Sequence, residues 1–153
     1  MRKRLSSSEF AALAQDLLAR GACVRFRAAG SSMWPFVRPG DVLLVETCRA
    51  EGLARGDIAL CRTAAGTLVA HRVRRGARGT ADCALVLESD LRGGAERIPL
   101  SRVLGRVVAI ERGRRLLPPN SLRNRLARSC WRSVRGALVP LLRSAARLRA
   151  RRA

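Results

Sequence analysis

Apolar positions near the start of the chain recur at helical spacing. Phe10, Leu13, Leu17 and Leu18 fall on one face of a helix over residues 6–20. "SSSE" supplies a capping box, with Ser6 as N-cap and Glu9 three residues on, and Gly21 is placed to end the helix. From Ala22 to about Arg114 the pattern changes to short runs of strand length: "CVRFR", "DVLLVE", "DIALCR", "LVAHRVRR", "CALVLES" and "VLGRVVAIER". Turn signals divide them: "RPGD", "ARGD", "AAG" and "RRGARG". The pattern predicts a β-rich core. "LLPPN" at 116–120 then breaks it, because a proline pair cannot carry a strand onward into a helix. Beyond it Leu122, Leu126, Cys130, Val134, Leu138, Leu141, Ala145 and Leu148 recur every three or four positions. That is an amphipathic helix, or two helices broken near Gly136 and Pro140. The expected architecture is therefore mainly β: an N-terminal helix in 1–21, a β domain in 22–115, and a C-terminal helical segment in 116–153.

Charge changes the reading of that last segment. The chain has 153 residues and a formal net charge of +20, with Lys3 as its one lysine. Such a balance favours nucleic acid, an anionic membrane surface or an acidic protein, and an arginine-biased composition accounts equally for much of the surface. Residues 121–153 carry ten arginines and no acid. A basic amphipathic helix of this kind suits an anionic membrane surface; the alternative is a helix packed on the β core with an arginine-rich tail. No segment approaches the roughly 20 apolar residues of a spanning helix. Glu9, Gln15 and Asp16 interrupt what would otherwise begin like a signal peptide. The expectation is a protein of the cytoplasm or of the membrane periphery, without a spanning helix or cleaved leader.

Aromatic residues make up 3% of the chain and tyrosine is absent, so Leu, Val, Ile and Ala must form the core. The five cysteines (Cys23, Cys48, Cys61, Cys83, Cys130) are odd in number and lack C-x-x-C spacing. With one histidine, no zinc spacing exists, so reduced thiols are expected, with no metal and no cofactor.

The candidate chemistry lies in "AAGSSMWPFVRPGDVLLVE", residues 28–46. A serine hydroxyl needs a general base to act as a nucleophile at neutral pH. The chain offers Lys3, near its start, and His71, in the strand-like "LVAHRV". His71 is the stronger choice, since a rigid strand fixes its position and its ordinary pKa near 6.5 leaves a neutral fraction at pH 7. A third group would orient the imidazole, and Glu88, Asp90 and Glu96 are the candidates. Asp41 and Asp57 follow glycines in turns and read as structural.

Taken in order, "GSSMWPFVRPGDVLLVE", "LARGDIALCR", "LVAHRV" and "LESDLRGG…IPLSRVLGRV" resemble the motifs of the signal peptidase I and SOS-repressor peptidase clan over about residues 22–112. The resemblance is to its small bacterial signal-peptidase-like members. It implies a serine endopeptidase with a β-rich fold that binds its peptide or protein substrate as an added strand. It makes Ser32, before Met33, the nucleophile. His71 stands where bacterial signal peptidases place lysine and endoplasmic-reticulum forms place histidine. Asp90 matches the later acidic motif, with Glu96 a looser match. Gly30 stands where many members have a serine that helps the oxyanion hole, so backbone N–H groups of Ser32 or Ser31 would take that task. Met33 and Pro35 would shape the turn and the substrate pocket. The alternative is a weak or inactive peptidase-fold module that binds an anionic membrane or protein partner. A self-cleaving DNA-bound repressor fits poorly: few residues precede the β region, and the histidine stands in place of lysine. Nucleic acid is thus not the expected partner.

Overall fold

The computed structural model describes residues 6–76, 84–121, 124 and 126–135. The expectations for Lys3, Cys83, Leu122, the break near Gly136 and Pro140, and the apolar positions from Leu138 to Leu148 lie outside these residues. The chain forms two compact units, Met1–Asn120 and Ser121–Ala153.

Helix α1 spans Ser7–Ala19. The Glu9 N–H donates to Ser6 Oγ at 3.2 Å and the Ser6 N–H donates to Glu9 Oε2 at 2.8 Å, completing the capping box. Its buried face differs from the leucine stripe read from the sequence. Ala11, Ala14 and Leu18 are buried, whereas Leu13 remains 45% exposed. Two alanines let the helix approach its support closely, and Phe10 meets Phe26 with ring centroids 5.2 Å apart.

Eight strands follow: β1 (Val24–Arg27), β2 (Val42–Glu46), β3 (Ile58–Arg62), β4 (Leu68–Arg75), β5 (Ala84–Ser89), β6 (Gly93–Pro99), β7 (Val103–Arg112) and β8 (Arg115–Leu117). They form one antiparallel sheet in the order β1-β2-β7-β3-β4-β5-β6, with β8 also paired to β7. The mainly β class holds. The apolar runs produced six of these strands, while β6 and β8 went unrecognised. β6 presents one buried side chain, Ile98, and is otherwise glycine, alanine, proline or charged, as an edge strand with little to bury must be. β8 lies across the boundary drawn at residue 115, and its neighbours Pro119 and Asn120 hydrogen-bond back to the β unit.

The core consists of two clusters separated by β3. Successive strand residues face opposite ways. Ile58 and Leu60 join Leu18, Met33, Val37, Leu43, Val45, Val107 and Ile110. Ala59 and Cys61 join Leu53, Val73, Leu85, Leu87 and Ile98. β7 passes between β2 and β3 and must come close to β2 at Gly105. A Cβ there would stand 2.4 Å from the Glu46 carbonyl oxygen, so only glycine fits without a backbone shift.

"RPGD" and "ARGD" form the same device. In each, the aspartate N–H donates to the carbonyl three residues back: Asp41 to Arg38 at 3.0 Å, Asp57 to Ala54 at 3.1 Å. In each, the carboxylate accepts the N–H of that same residue, at 2.8 Å from Arg38 and 2.9 Å from Ala54. Gly40 and Gly56 hold φ of +94° and +101°, the left-handed position such a turn requires. In the second unit, residues 126–135 form a helix, α2. Among the described residues no helix is long and apolar enough to cross a membrane. Cys23, Cys48, Cys61 and Cys130 are free thiols.

Candidate active site

Ser32 lies on the loop between β1 and β2. The Ala28 N–H donates to the Asp41 carbonyl and the Gly40 N–H to the Ala28 carbonyl, both at 2.8 Å, closing the loop at its base. Asp41 then ties it to the end of β7. Arg112 Nε and Nη2 donate to the two Asp41 carboxylate oxygens at 2.9 and 2.7 Å, and Nη2 also donates to the Phe36 carbonyl at 3.0 Å. Burial pushes the Asp41 carboxyl up, but Arg112 and the Arg38 N–H outweigh it and hold it below the usual carboxylate range.

Within the loop, Met33 and Val37 sink into the first core cluster. The Val37 N–H donates to the Met33 carbonyl at 2.9 Å and the Trp34 N–H to the Ser31 carbonyl at 3.0 Å. The Trp34–Pro35 bond is cis. This winding anchors Met33 inward and leaves Ser32 half-buried at the surface of the turn. The Ser32 carbonyl is gripped from across the molecule by the Leu91 N–H at 2.9 Å and Ser89 Oγ at 2.5 Å. Among the described residues, no hydrogen bond takes the N–H of Ser31 or Ser32.

His71 lies in β4, paired with Ala59 of β3. Strand alternation puts it on the same face as Val73. Val73 pairs with Leu87 of β5, and Leu87 pairs with Glu96 of β6. These neighbours surround a cavity of about 310 Å³ lined by Ser32, His71, Leu87, Ser89, Arg92 and the β6 residues Gly93–Glu96. The serine and the histidine, far apart in sequence, share its wall.

Asp90 is elsewhere. Arg72 follows His71 directly and so faces the other way. Its Nε donates to both Asp90 carboxylate oxygens at 2.9 and 3.0 Å, and its Nη2 donates to Oδ2 at 2.6 Å. Both side chains are buried. Arg72 Nη1 also donates to the Gly56 carbonyl at 2.7 Å, and the guanidinium lies 5.6 Å from the Phe36 ring centroid. Of the acids considered from sequence, Glu96 stands on the cavity wall. Asp90 is held by Arg72, and Glu88 is buried on β5 opposite Arg72, 4.0 Å from Arg74. Gly30 and Ser31 are exposed, Met33 is core, Pro35 is half-buried, and none of the four lines the cavity.

Burial is the main influence on His71 and lowers its pKa from 6.5; Glu96 and then Asp90 oppose it, and Arg92 adds to it. The net lowering leaves the imidazole neutral at pH 7, the form a general base requires. The nearby thiols are not rival nucleophiles. Burial pushes Cys61 up to about 12, with Cys48 and Glu96 adding to it, and burial likewise raises Cys48.

Ser89, Arg92 and the Gly93–Ala95 wall went unrecognised from sequence. Arg72 did too, although its place directly after His71 forces it to the opposite face. Among the described residues no group of three His, Cys, Asp or Glu is placed to hold a metal ion. No family model, curated protein or solved structure matches the chain.

Proposed function

We propose that the protein is a serine endopeptidase of the signal-peptidase-like kind, with Ser32 as nucleophile and His71 as general base. The observation that carries this reading is the shared cavity wall of Ser32 and a half-buried His71 kept neutral by its surroundings. Neutral His71 takes the proton of Ser32 Oγ as that oxygen bonds to the scissile carbonyl carbon. The carbonyl oxygen becomes an oxyanion beside the Ser32 N–H, which no group among the described residues occupies. The protonated imidazole then gives its proton to the amine as the C–N bond breaks. Water, deprotonated by the same His71, releases the acyl group.

Glu96 is the carboxylate that faces the imidazolium in this scheme, since it lies on the cavity wall and acts on His71 more strongly than Asp90 does. Asp90 is a positioning residue. Paired with Arg72, it fixes the turn whose Ser89 and Leu91 grip the Ser32 carbonyl. The substrate is a peptide or protein segment. β6 ends the sheet, and its first residues line the cavity, so an extended peptide pairing with that edge would pass the serine.

A fluorophosphonate probe tests the reading. The expected result is labelling at Ser32 in the wild-type chain, loss of labelling in Ser32→Ala, and strong slowing in His71→Ala. Peptide hydrolysis should fall on the order of 10⁶-fold in Ser32→Ala, while Ser31→Ala only reduces it. A folded wild-type chain that leaves the probe unreacted, or equal mild effects of the two serine substitutions, would remove Ser32 as a nucleophile.

A further inference from the structure

The second unit carries ten of the chain's twenty net positive charges. Helix α2 displays three of the arginines that carry them, Arg128, Arg132 and Arg135. At about 100° per residue, Leu126, Cys130, Val134, Ala127 and Trp131 fall within an arc of about 140°. Arg135, Arg128 and Arg132 fill the adjoining arc of about 60°, followed by Ser129 and Ser133. Most of the apolar arc is exposed, with Trp131 half-buried at its edge. Leu126 is 72% exposed and Val134 51%, and they are two of the four large apolar side chains exposed among the described residues; Cys130 is exposed with them.

Each half of this face argues against a different partner. A helix that only tracked phosphates in a nucleic acid would have no use for exposed leucine and valine beside its arginines. A helix meant to pack on an ordinary protein surface would not be flanked by a segment wholly without acids. Apolar and cationic arcs side by side match a surface that is itself layered, with anionic groups outside and hydrocarbon beneath. We infer that α2 is a membrane-surface anchor, lying in the plane of an anionic bilayer with Leu126, Cys130 and Val134 inserted and its arginines among the lipid phosphates. It rests on the second unit alone and stands or falls apart from the peptidase reading.

The test uses the full-length chain in co-sedimentation with vesicles of phosphatidylcholine alone or of phosphatidylcholine mixed with phosphatidylglycerol. Wild type should bind the mixed vesicles and leave the neutral ones, with affinity falling as salt rises. The double variant Leu126→Ser, Val134→Ser keeps the net charge and alters exposed positions, so folding of the β unit is undisturbed. It should lose about tenfold or more in affinity for the mixed vesicles. Replacing Arg132 by Gln should cost about fivefold. Unchanged binding by the double serine variant would show that charge alone acts and overturn the proposal. So would wild-type binding to a DNA duplex that the mixed vesicles fail to compete, or equal binding to both kinds of vesicle.

Discussion

The loop that carries Ser32 is fastened from several directions, whereas the β5–β6 edge that completes the cavity hangs on the sheet by one strand. On the serine side, Met33 and Val37 are core residues, Asp41 is clamped by Arg112, and backbone bonds close the loop at its base. On the other side, among the described residues β6 pairs with β5 alone, and four of its residues from Gly94 to Arg97 are exposed. The difference fits the demands of the proposed acyl transfer. A nucleophile must be held within a fraction of an ångström, while the wall that receives a variable substrate benefits from open backbone groups and small side chains. The two sides meet in the turn at residues 89–91, which belongs to the edge hairpin but holds the serine.

That junction is where the comparison breaks most easily. Asp90→Asn leaves the buried Arg72 without its counter-charge and should destabilise the β unit by about 3–5 kcal/mol, read by urea denaturation. Replacing both partners by apolar residues, Arg72→Met with Asp90→Leu, should recover most of that stability, since no buried charge is left unpaired. Probe labelling of Ser32 should nevertheless stay slow, because the turn that grips its carbonyl has lost its support. Wild-type labelling in the stable double variant would show that the pair serves the fold and not the serine.

The next largest effect isolates the serine loop. Asp41→Asn should cost about 3 kcal/mol, near the low end for breaking a buried pair, because Arg112 is 29% exposed while Asp41 is 4% exposed. The same pair sets an acid limit. The folded-state pKa of Asp41 lies below its unfolded value, so the stability it supplies is present above about pH 4 and is lost as pH falls through the folded pKa. Acid titrations of unfolding should show wild type converging on Asp41→Asn as pH falls below that point. A constant gap between them would mean that the clamp contributes through shape alone.

How much of this was legible in the sequence follows the same divide. α1, its capping box and six strands announce themselves because burial demands apolar residues at a fixed period, and Ser32 and His71 lie on or beside such elements. β6 has one buried side chain, so no period marks it, and the cavity wall it forms was invisible. The faces of β4 were legible in principle: His71 and Arg72 are consecutive, so their side chains take opposite faces of the sheet. What the sequence withholds is register. The pairing of Val73 with Leu87 and of Leu87 with Glu96 brings Glu96 to the histidine's side, and no local signal in "GGAERIP" specifies that pairing. Leu13 shows the opposite error: a residue with the right period and chemistry stays exposed because Ala11 and Ala14 permit a closer approach on the neighbouring face.

The smallest effect is the sharpest test of which charges the base feels. In the proposed mechanism His71 must be neutral to accept the serine proton, and its pKa is lowered from 6.5, so the acid limb of the kcat/KM profile should fall below that value. Glu96 and Arg92 flank the same cavity with opposite charges and opposite influence: Glu96 raises the pKa and Arg92 lowers it. Glu96→Gln should therefore move the acid limb to lower pH, and Arg92→Gln should move it to higher pH. Both side chains are exposed on the edge hairpin, so neither change should disturb the fold. The paired variants also separate electrostatics from orientation. If Glu96 only screens charge, Glu96→Gln shifts the limb and leaves the plateau intact; if it also orients the imidazolium, the plateau falls as well. Limbs that move in the same direction in both variants, or remain in place, would mean that the cavity charges do not govern His71, and the carboxylate partner of the base would have to be sought at Asp90.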